Sequence, residues 1–304
     1  MNVDDKWKSY FADNNRYVDL INGVGCNGEQ LIKASDLQEV DPTEKKKSRD
    51  VLRRVALGMN FLIIGIENQE KVDYKFPLRN MQYDVSRYQK QASAIGKVVR
   101  DNAKDISAAE YLSRFRKEDK LSPVITIVLY AGKEEWDGPR CLYDMLELSN
   151  VPKGLKNMIP NYTINLVDIC RMKQTDMFKS DLKQVFDFIR FSSDKNKLLN
   201  LMKTDKNFSR VKCDALDVIN AYTNIGALAQ EEEYQVEEGV VDMCKAIQDL
   251  VNDSIEEGRE TGIAFNRIEN AKNLLDILSD EIIAERIQLP LATVQALRAE
   301  RANS

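Results

Sequence analysis

The sequence predicts an α/β protein in which helices pack on a mixed β-sheet. Two stretches, 59–66 and Val124–Tyr130, are nearly continuous apolar runs, which are typical of strands covered on both faces. Between and around them, apolar residues recur three and four positions apart. That spacing indicates amphipathic helices, so strands and helices are interspersed in one core.

A β-hairpin is predicted between residues 49 and 69, with Gly58 in its turn. If the turn is centred midway between Gly58 and Met59, Asp50 lies opposite Glu67. Directly opposed residues point to the same face of a sheet, and Gln69 shares that face by the two-residue period. A turn centred half a residue away would put the two acids on opposite faces, so the interpretation depends on register.

The other elements of the core follow from apolar spacing and from Pro, Gly and polar breaks. They are, in order, an amphipathic helix at 4–22, a short strand within 29–37, the hairpin, helices at 74–100 and 107–116, and strands at 124–130 and 162–170 with a helix at 141–148 between them.

Beyond residue 181 the sequence shows only helical patterns, so we expect an all-helical C-terminal region. We divide the chain into an α/β core at 1–175, a helical extension at 176–226 and a helical region at 227–304. Residues 279–300 resemble a two-helix unit. A helix-turn-helix interpretation would direct Ala292, Thr293, Gln295 and Arg298 toward a DNA groove; a packing or oligomerising tail is the alternative.

Composition excludes several classes of chemistry. The chain has 304 residues and no histidine, which removes Ser-His-Asp and Cys-His catalysis and the histidine-containing zinc hydrolases. Five widely spaced cysteines, never in CxxC spacing, favour free thiols in a reduced cytoplasm. No apolar run reaches the roughly 18 residues of a membrane span, so we expect no membrane partner.

Asp50 and Glu67 are the candidate metal ligands. Two neighbouring carboxylates repel each other, and both stay ionised most easily when a cation lies between them. Mg²⁺ typically takes one or two protein carboxylates and leaves positions for phosphate oxygens, where it can activate water. The alternative is an ordinary hairpin whose acids lie in solvent at the strand ends.

A family resemblance supports the metal interpretation. Asp50, the turn, and Glu67-Asn68-Gln69, together with the stretches DDKWKSYF, FPLRNMQYD and SPVITIVLYAG, resemble the PD-(D/E)XK nuclease-family transposases, also called recombination-promoting (Rpn-like) nucleases. The resemblance implies a restriction-endonuclease-like core with helices on both faces, Mg²⁺ or Mn²⁺ as cofactor, and catalytic roles for Asp50, Glu67 and Gln69. Gln69 stands where the wider superfamily usually carries a lysine. Asp5 and Lys8 match an acid and a lysine of the family's first helix.

The net charge of −5 means that a DNA-binding surface must be local, since cationic side chains dominate affinity for phosphates. The candidates are Lys45, Lys46, Lys47, Arg53 and Arg79, with a solvated basic surface as the alternative. We therefore predict a metal-dependent DNA endonuclease associated with recombination or mobile elements. The alternatives are an inactive nuclease-fold protein that binds nucleic acid or assembles through its C-terminal helices as a homo-oligomer, and an RNA nuclease.

Overall fold

A computed structural model describes residues 2–39, 51–57, 60–101, 106–222 and 232–302. The chain forms two compact units, residues 1–243 and residues 244–304. The finer division of the chain at residues 175 and 226 stays a prediction.

The first unit is built on a five-stranded mixed sheet, which confirms the predicted fold class. The strands lie in the order β1-β2-β3-β4-β5; the first two pairs are antiparallel and the last two are parallel. Their bounds are Leu37–Glu39 for β1, Val51–Leu57 for β2, Asn60–Gln69 for β3, Val124–Tyr130 for β4 and Asn165–Asp168 for β5.

Eleven α-helices occur within the described ranges. They are α1 at Val3–Tyr10, α2 at Asn14–Gly25, α3 at Phe76–Asp101, α4 at Ala108–Ser113, α5 at Lys153–Lys156, α6 at Leu182–Phe191, α7 at Lys195–Thr204, α8 at Cys213–Tyr222, α9 at Met243–Leu274, α10 at Asp280–Ile287 and α11 at Leu291–Ala302. None of these helices, in the part of the chain that the structure describes, has the length and hydropathy needed to cross a bilayer.

The register of the β2–β3 hairpin confirms the predicted turn centre. Val51 pairs with Ile66 and Leu57 pairs with Asn60, so the pairing is centred midway between Gly58 and Met59. Asp50, immediately before β2, lies outside the described residues.

Helices cover both faces of the sheet. On one face, Leu52 and Val124 pack with Tyr88 of α3, and the Thr126 hydroxyl donates to the buried Asp84 of the same helix at 3.1 Å. On the other face, the Arg53 guanidinium lies 5.9 Å from the ring of Tyr17 in α2. Because opposed strand residues share a face, the register determines which side chains of β2 and β3 point toward α3.

Three predicted elements differ in extent from those observed. The helix expected at 4–22 is two helices, because Asp13 caps α2 by accepting from the Asn15 N–H at 2.8 Å. The strand expected within 29–37 begins only at Leu37 and pairs with β2. The helix expected at 141–148 is a single 3₁₀ turn, Leu142–Met145.

The expectation of no strands beyond residue 181 is wrong. Val211–Lys212 (β6), Gln235–Glu237 (β7) and Val240–Val241 (β8) form a small antiparallel sheet in the order β6-β8-β7. Strands of two or three residues are too short to show an alternating pattern, which is why the sequence did not reveal them.

Arg16 joins three helices in the first unit. Its side chain is 2% exposed, and Nη2 lies 2.6 Å from the Asp181 carboxylate before α6 and 2.9 Å from the Asp214 carboxylate in α8. Burial has the largest single effect on Asp214 and disfavours its charged form, but the hydrogen bonds and the positive charge of Arg16, with the Ala215 N–H and Lys212, together outweigh it and hold the pKa of Asp214 below its usual range.

Aromatic contacts near the same helices join the two ends of this unit. Trp7, Tyr10 and Phe11 are fully buried, and the indole N–H of Trp7 donates to the Tyr222 hydroxyl of α8 at 2.8 Å. Burial, followed by the Asp181 carboxylate, raises the pKa of Tyr10. The first helix and the eighth are thus held together by both packing and hydrogen bonds.

The second unit is helical. Its core includes Ala271 of α9, Leu275 directly after that helix, Ile283 of α10 and Val294 of α11. Arg298 donates to Asp280 at 2.6 Å and to the Leu278 carbonyl at 2.8 Å. These contacts hold Arg298 within the unit, which favours the packing interpretation of the tail over the one that directs this residue toward DNA.

Replacing Arg16 with leucine should lower the free energy of unfolding by about 3 kcal/mol, since two partly buried carboxylates would lose their cation. The same change at Arg210, whose ion pair with Glu237 is half exposed, should cost at most about 1 kcal/mol. The measurement is urea unfolding followed by tryptophan fluorescence, because Trp7 and Trp136, the two tryptophans of the chain, both lie in this unit. Equal losses in the two variants would contradict the assigned role of Arg16.

Candidate functional site

Glu67 lies near the end of β3 and is only 8% exposed. It is paired in register with Val128 of β4, which packs against Phe76 of α3, so the carboxylate faces α3. Arg79, in the first turns of that helix, donates from Nη2 to Glu67 Oε1 at 3.2 Å. A buried carboxylate therefore has a guanidinium beside it.

Arg79 connects two acids. Besides Glu67, it contacts the Asp73 carboxylate at 2.8 Å, and its guanidinium carbon lies 4.7 Å from the centre of the Phe76 ring. From the sequence, Arg79 is expected as a contact to DNA. Its pairing with Glu67, across twelve residues of chain, becomes visible only when α3 packs on the sheet.

Gln69 follows Glu67 by two residues and shares its face of the sheet. Its side-chain amide donates to the Asn68 carbonyl at 2.8 Å. The amide is thus held close to the strand end, beside the proposed position of the metal. It carries no charge, in contrast to the lysine that the wider superfamily usually has.

An open groove of about 740 Å³ runs past this strand end. The residues that line it include Asn68 and Gln69 at the end of β3, Lys71 after it, Asp4 and Lys6 of α1, and Asn220 of α8. Asp5 and Lys8, the predicted pair of the first helix, instead form a half-exposed ion pair at 4.0 Å and are not among the residues that line the groove. Asp4 and Lys6 are the charged residues of α1 that sequence reasoning missed, because it did not determine which face of the helix meets the strand end.

The predicted site is thus assembled in part. Glu67, Gln69 and Arg79 lie together on the α3 side of the sheet. Arg53 lies on the opposite face, over Tyr17. The remaining predicted residues, Lys45, Lys46, Lys47 and Asp50, lie outside the described residues.

The described side chains supply only part of a divalent-cation site. Within the described ranges, no three Cys, Asp or Glu side chains form a group that could hold a metal ion. Glu67 offers one carboxylate at a strand end that borders an open groove, and Mg²⁺ needs only one or two protein carboxylates. Glu67 therefore fits as one ligand; the other predicted ligand, Asp50, lies outside the described residues.

The fold and the strand-end carboxylate define a mixed-sheet α/β protein with the β-hairpin that the sequence predicts. A family model described as "Putative transposase, YhgA-like" matches residues 30–207, more than half of the chain. The chain belongs to this family, the PD-(D/E)XK Rpn-like transposases, which indicates a function related to mobile elements. No curated protein and no solved structure matches the chain.

The ion pair between Arg79 and Glu67 should contribute measurably to stability. In a double-mutant cycle with Arg79→Gln and Glu67→Gln, we expect a coupling energy of about 1 kcal/mol in the absence of divalent metal, because the pair is partly shielded from water. The exposed pair of Lys197 and Asp194 is the control and should give about half that value or less. Urea unfolding of the wild type, the two single variants and the double variant measures this coupling energy. A coupling energy near zero for Arg79 and Glu67 would contradict the assigned contact.

Proposed function

We propose that the chain is a metal-dependent DNA endonuclease acting in recombination or on mobile elements. The observation that carries the proposal is the register of the β2–β3 hairpin. Val51 pairs with Ile66, so the same register continued by one residue would pair Asp50 with Glu67. Opposed residues have Cβ atoms about 5 Å apart on one face, a separation at which two carboxylates can share an ion.

The proposed metal is Mg²⁺ or Mn²⁺, held by Asp50 and Glu67. When bound, it would supply an activated water and positive charge at the phosphate. Gln69 lies on the same face, and its amide can hydrogen-bond an attacking water or a phosphate oxygen. Arg79, already beside Glu67, brings the positive charge that the neutral amide of Gln69 lacks.

The family assignment supports DNA as the substrate, and the acidic net charge requires that contacts to the phosphates be local. The predicted contacts Lys45, Lys46 and Lys47 lie three to five residues before Asp50 in the sequence. Arg53 points away from the Glu67 face, so we expect it to contribute less to a substrate bound there than these lysines do.

Purified protein should nick and linearise supercoiled plasmid DNA with Mg²⁺ or Mn²⁺, and should not do so with EDTA. Asp50→Asn and Glu67→Gln should each slow cleavage by about a hundredfold or more, because each removes an anionic ligand without changing side-chain size. A matched RNA substrate distinguishes a ribonuclease that uses the same residues.

The exposed Glu118 provides the control, since Glu118→Gln makes the same chemical change away from the site and should retain the wild-type rate. Cleavage by Asp50→Asn and Glu67→Gln at the wild-type rate would remove the site assignment.

One observation favours a second candidate, an inactive nuclease-fold protein that binds nucleic acid or assembles. Arg79 already neutralises Glu67 at 3.2 Å, which can hold a carboxylate at this position without a metal. Calorimetry with Mn²⁺ separates the two. If the chain is the endonuclease, titration with Mn²⁺ should give a heat of binding that is lost in Glu67→Gln and kept in Glu118→Gln. If it is the inactive protein, no Mn²⁺ binding should depend on Glu67.

A further inference from the structure

A second basic site lies on the same edge of the sheet as Glu67. In β3, β4 and β5, which are parallel, the carboxyl ends meet at one edge. The chain leaves β4 at Tyr130, and the N–H of the next residue, Ala131, donates to the Gln69 carbonyl at 3.1 Å. The turn after β4 is therefore hydrogen-bonded to the end of β3, the strand that carries Glu67 and Gln69.

A cavity of about 230 Å³ opens beside this turn. Among the described residues that line it, three are cationic, two are serines and none is acidic; the cations are Lys133, Arg171 and Arg190, and the serines are Ser192 and Ser193. Taking about 30 Å³ per water molecule, the space holds roughly seven waters, enough for a phosphate group with part of its hydration shell. Cations and hydroxyl donors are the groups that contact phosphates in nucleic-acid complexes.

The cations of this cavity are held in place by the fold. Arg171 is paired with Asp168 at 3.1 Å and donates to the Lys133 carbonyl at 2.5 Å. Arg190 donates to the Lys173 carbonyl at 3.3 Å, with Asp187 4.0 Å away. These contacts orient the two guanidiniums and partly offset their charge.

Lys133 differs from both arginines. Its exposed ammonium makes no ion pair with the described residues. Lys133 also lines a neighbouring cavity next to Tyr130, and the acids that follow it, Glu134 and Glu135, line that cavity and not this one. Lys133 therefore brings to this cavity a positive charge without an ion pair among the described residues, in a chain whose net charge is −5.

We propose that the Lys133–Arg171–Arg190 cavity binds a backbone phosphate of the nucleic acid whose cleavage is proposed at Glu67. Strands lie about 4.8 Å apart, so the end of β5 is about 10 Å across the sheet from the end of β3. That distance corresponds to about three nucleotide steps at 3.4 Å of rise along one DNA strand. Because the cavity is lined by Arg190 of α6 and Tyr222 of α8 as well as by the turn after β4, the bound phosphate would lie at least about three nucleotides from the scissile one.

The proposal rests on the proposed function for its choice of ligand, but its test does not require cleavage. Binding of a fluorescent 20-base-pair duplex is measured by anisotropy in EDTA, at several salt concentrations, with the full chain. Lys133→Gln should weaken binding about five- to tenfold at 0.1 M salt and lower the salt-dependence slope by about one, as expected for one lost phosphate contact. The double variant Lys133→Gln/Arg190→Gln should bind the duplex more weakly than Lys133→Gln does and should have a still smaller salt-dependence slope.

The controls are Lys195→Gln and Lys203→Gln, which remove exposed lysines from α7 and should leave affinity and slope unchanged. Lys133 is exposed and unpaired among the described residues, so its neutral variant should fold normally, as checked by circular dichroism. If Lys133→Gln binds the duplex with the affinity and slope of the control variants, or if the wild type binds no duplex, the proposal is overturned.

Failure of the nuclease proposal is distinguishable from failure of this one. A wild type that binds duplex through Lys133 but cleaves nothing with Mg²⁺ or Mn²⁺ would overturn the endonuclease and leave the phosphate site standing. Cleavage that proceeds while Lys133→Gln binds like the wild type would overturn the phosphate site alone.

Discussion

The antiparallel register between β2 and β3 is the constraint on which the candidate site depends. It brings Leu52 to the α3 side of the sheet, where it packs with Val124 and Tyr88, and it leaves Arg53 on the side of Tyr17. A slip of one residue would exchange these positions, placing a guanidinium in the apolar contact with Val124 and Tyr88 and removing the leucine from it. Full burial of one leucine is worth about 1.5–3 kcal/mol, so the apolar side chains of the hairpin strongly disfavour other registers. The acid at the end of β3 acquires its orientation from this packing.

Much of the core could be predicted from the sequence, because its signals are local and periodic. The hairpin has a long apolar run with a glycine at its turn, and β4 lies at Val124–Tyr130 as predicted. The long helix at Phe76–Asp101 has an extended apolar stripe. In each case a single stretch contains enough residues for the period to be recognised.

The rest could not be predicted, because it depends on contacts between distant stretches or on elements too short to show a period. Arg79 meets Glu67 only when α3 docks on the sheet. The choice of Asp4 and Lys6 over Asp5 and Lys8 depends on which face of α1 meets the strand end. Arg16 meets a carboxylate 165 residues away at Asp181, and residue spacing carries no information about such a partner.

The Arg16 contacts bear on where the folding unit begins and ends. The family match covers residues 30–207, yet Arg16 and Trp7 precede that segment, while Asp214 and Tyr222 follow it. A fragment trimmed to the matched residues would keep Asp181 but lose Arg16, whose guanidinium pairs with it. The fragment would also lose the buried aromatic side chains of α1 and the Tyr222 hydroxyl of α8, which accepts a hydrogen bond from Trp7. The family match therefore covers a shorter stretch than these contacts connect, and an excised matched segment would contain the sheet without the helices at either end that pack against it.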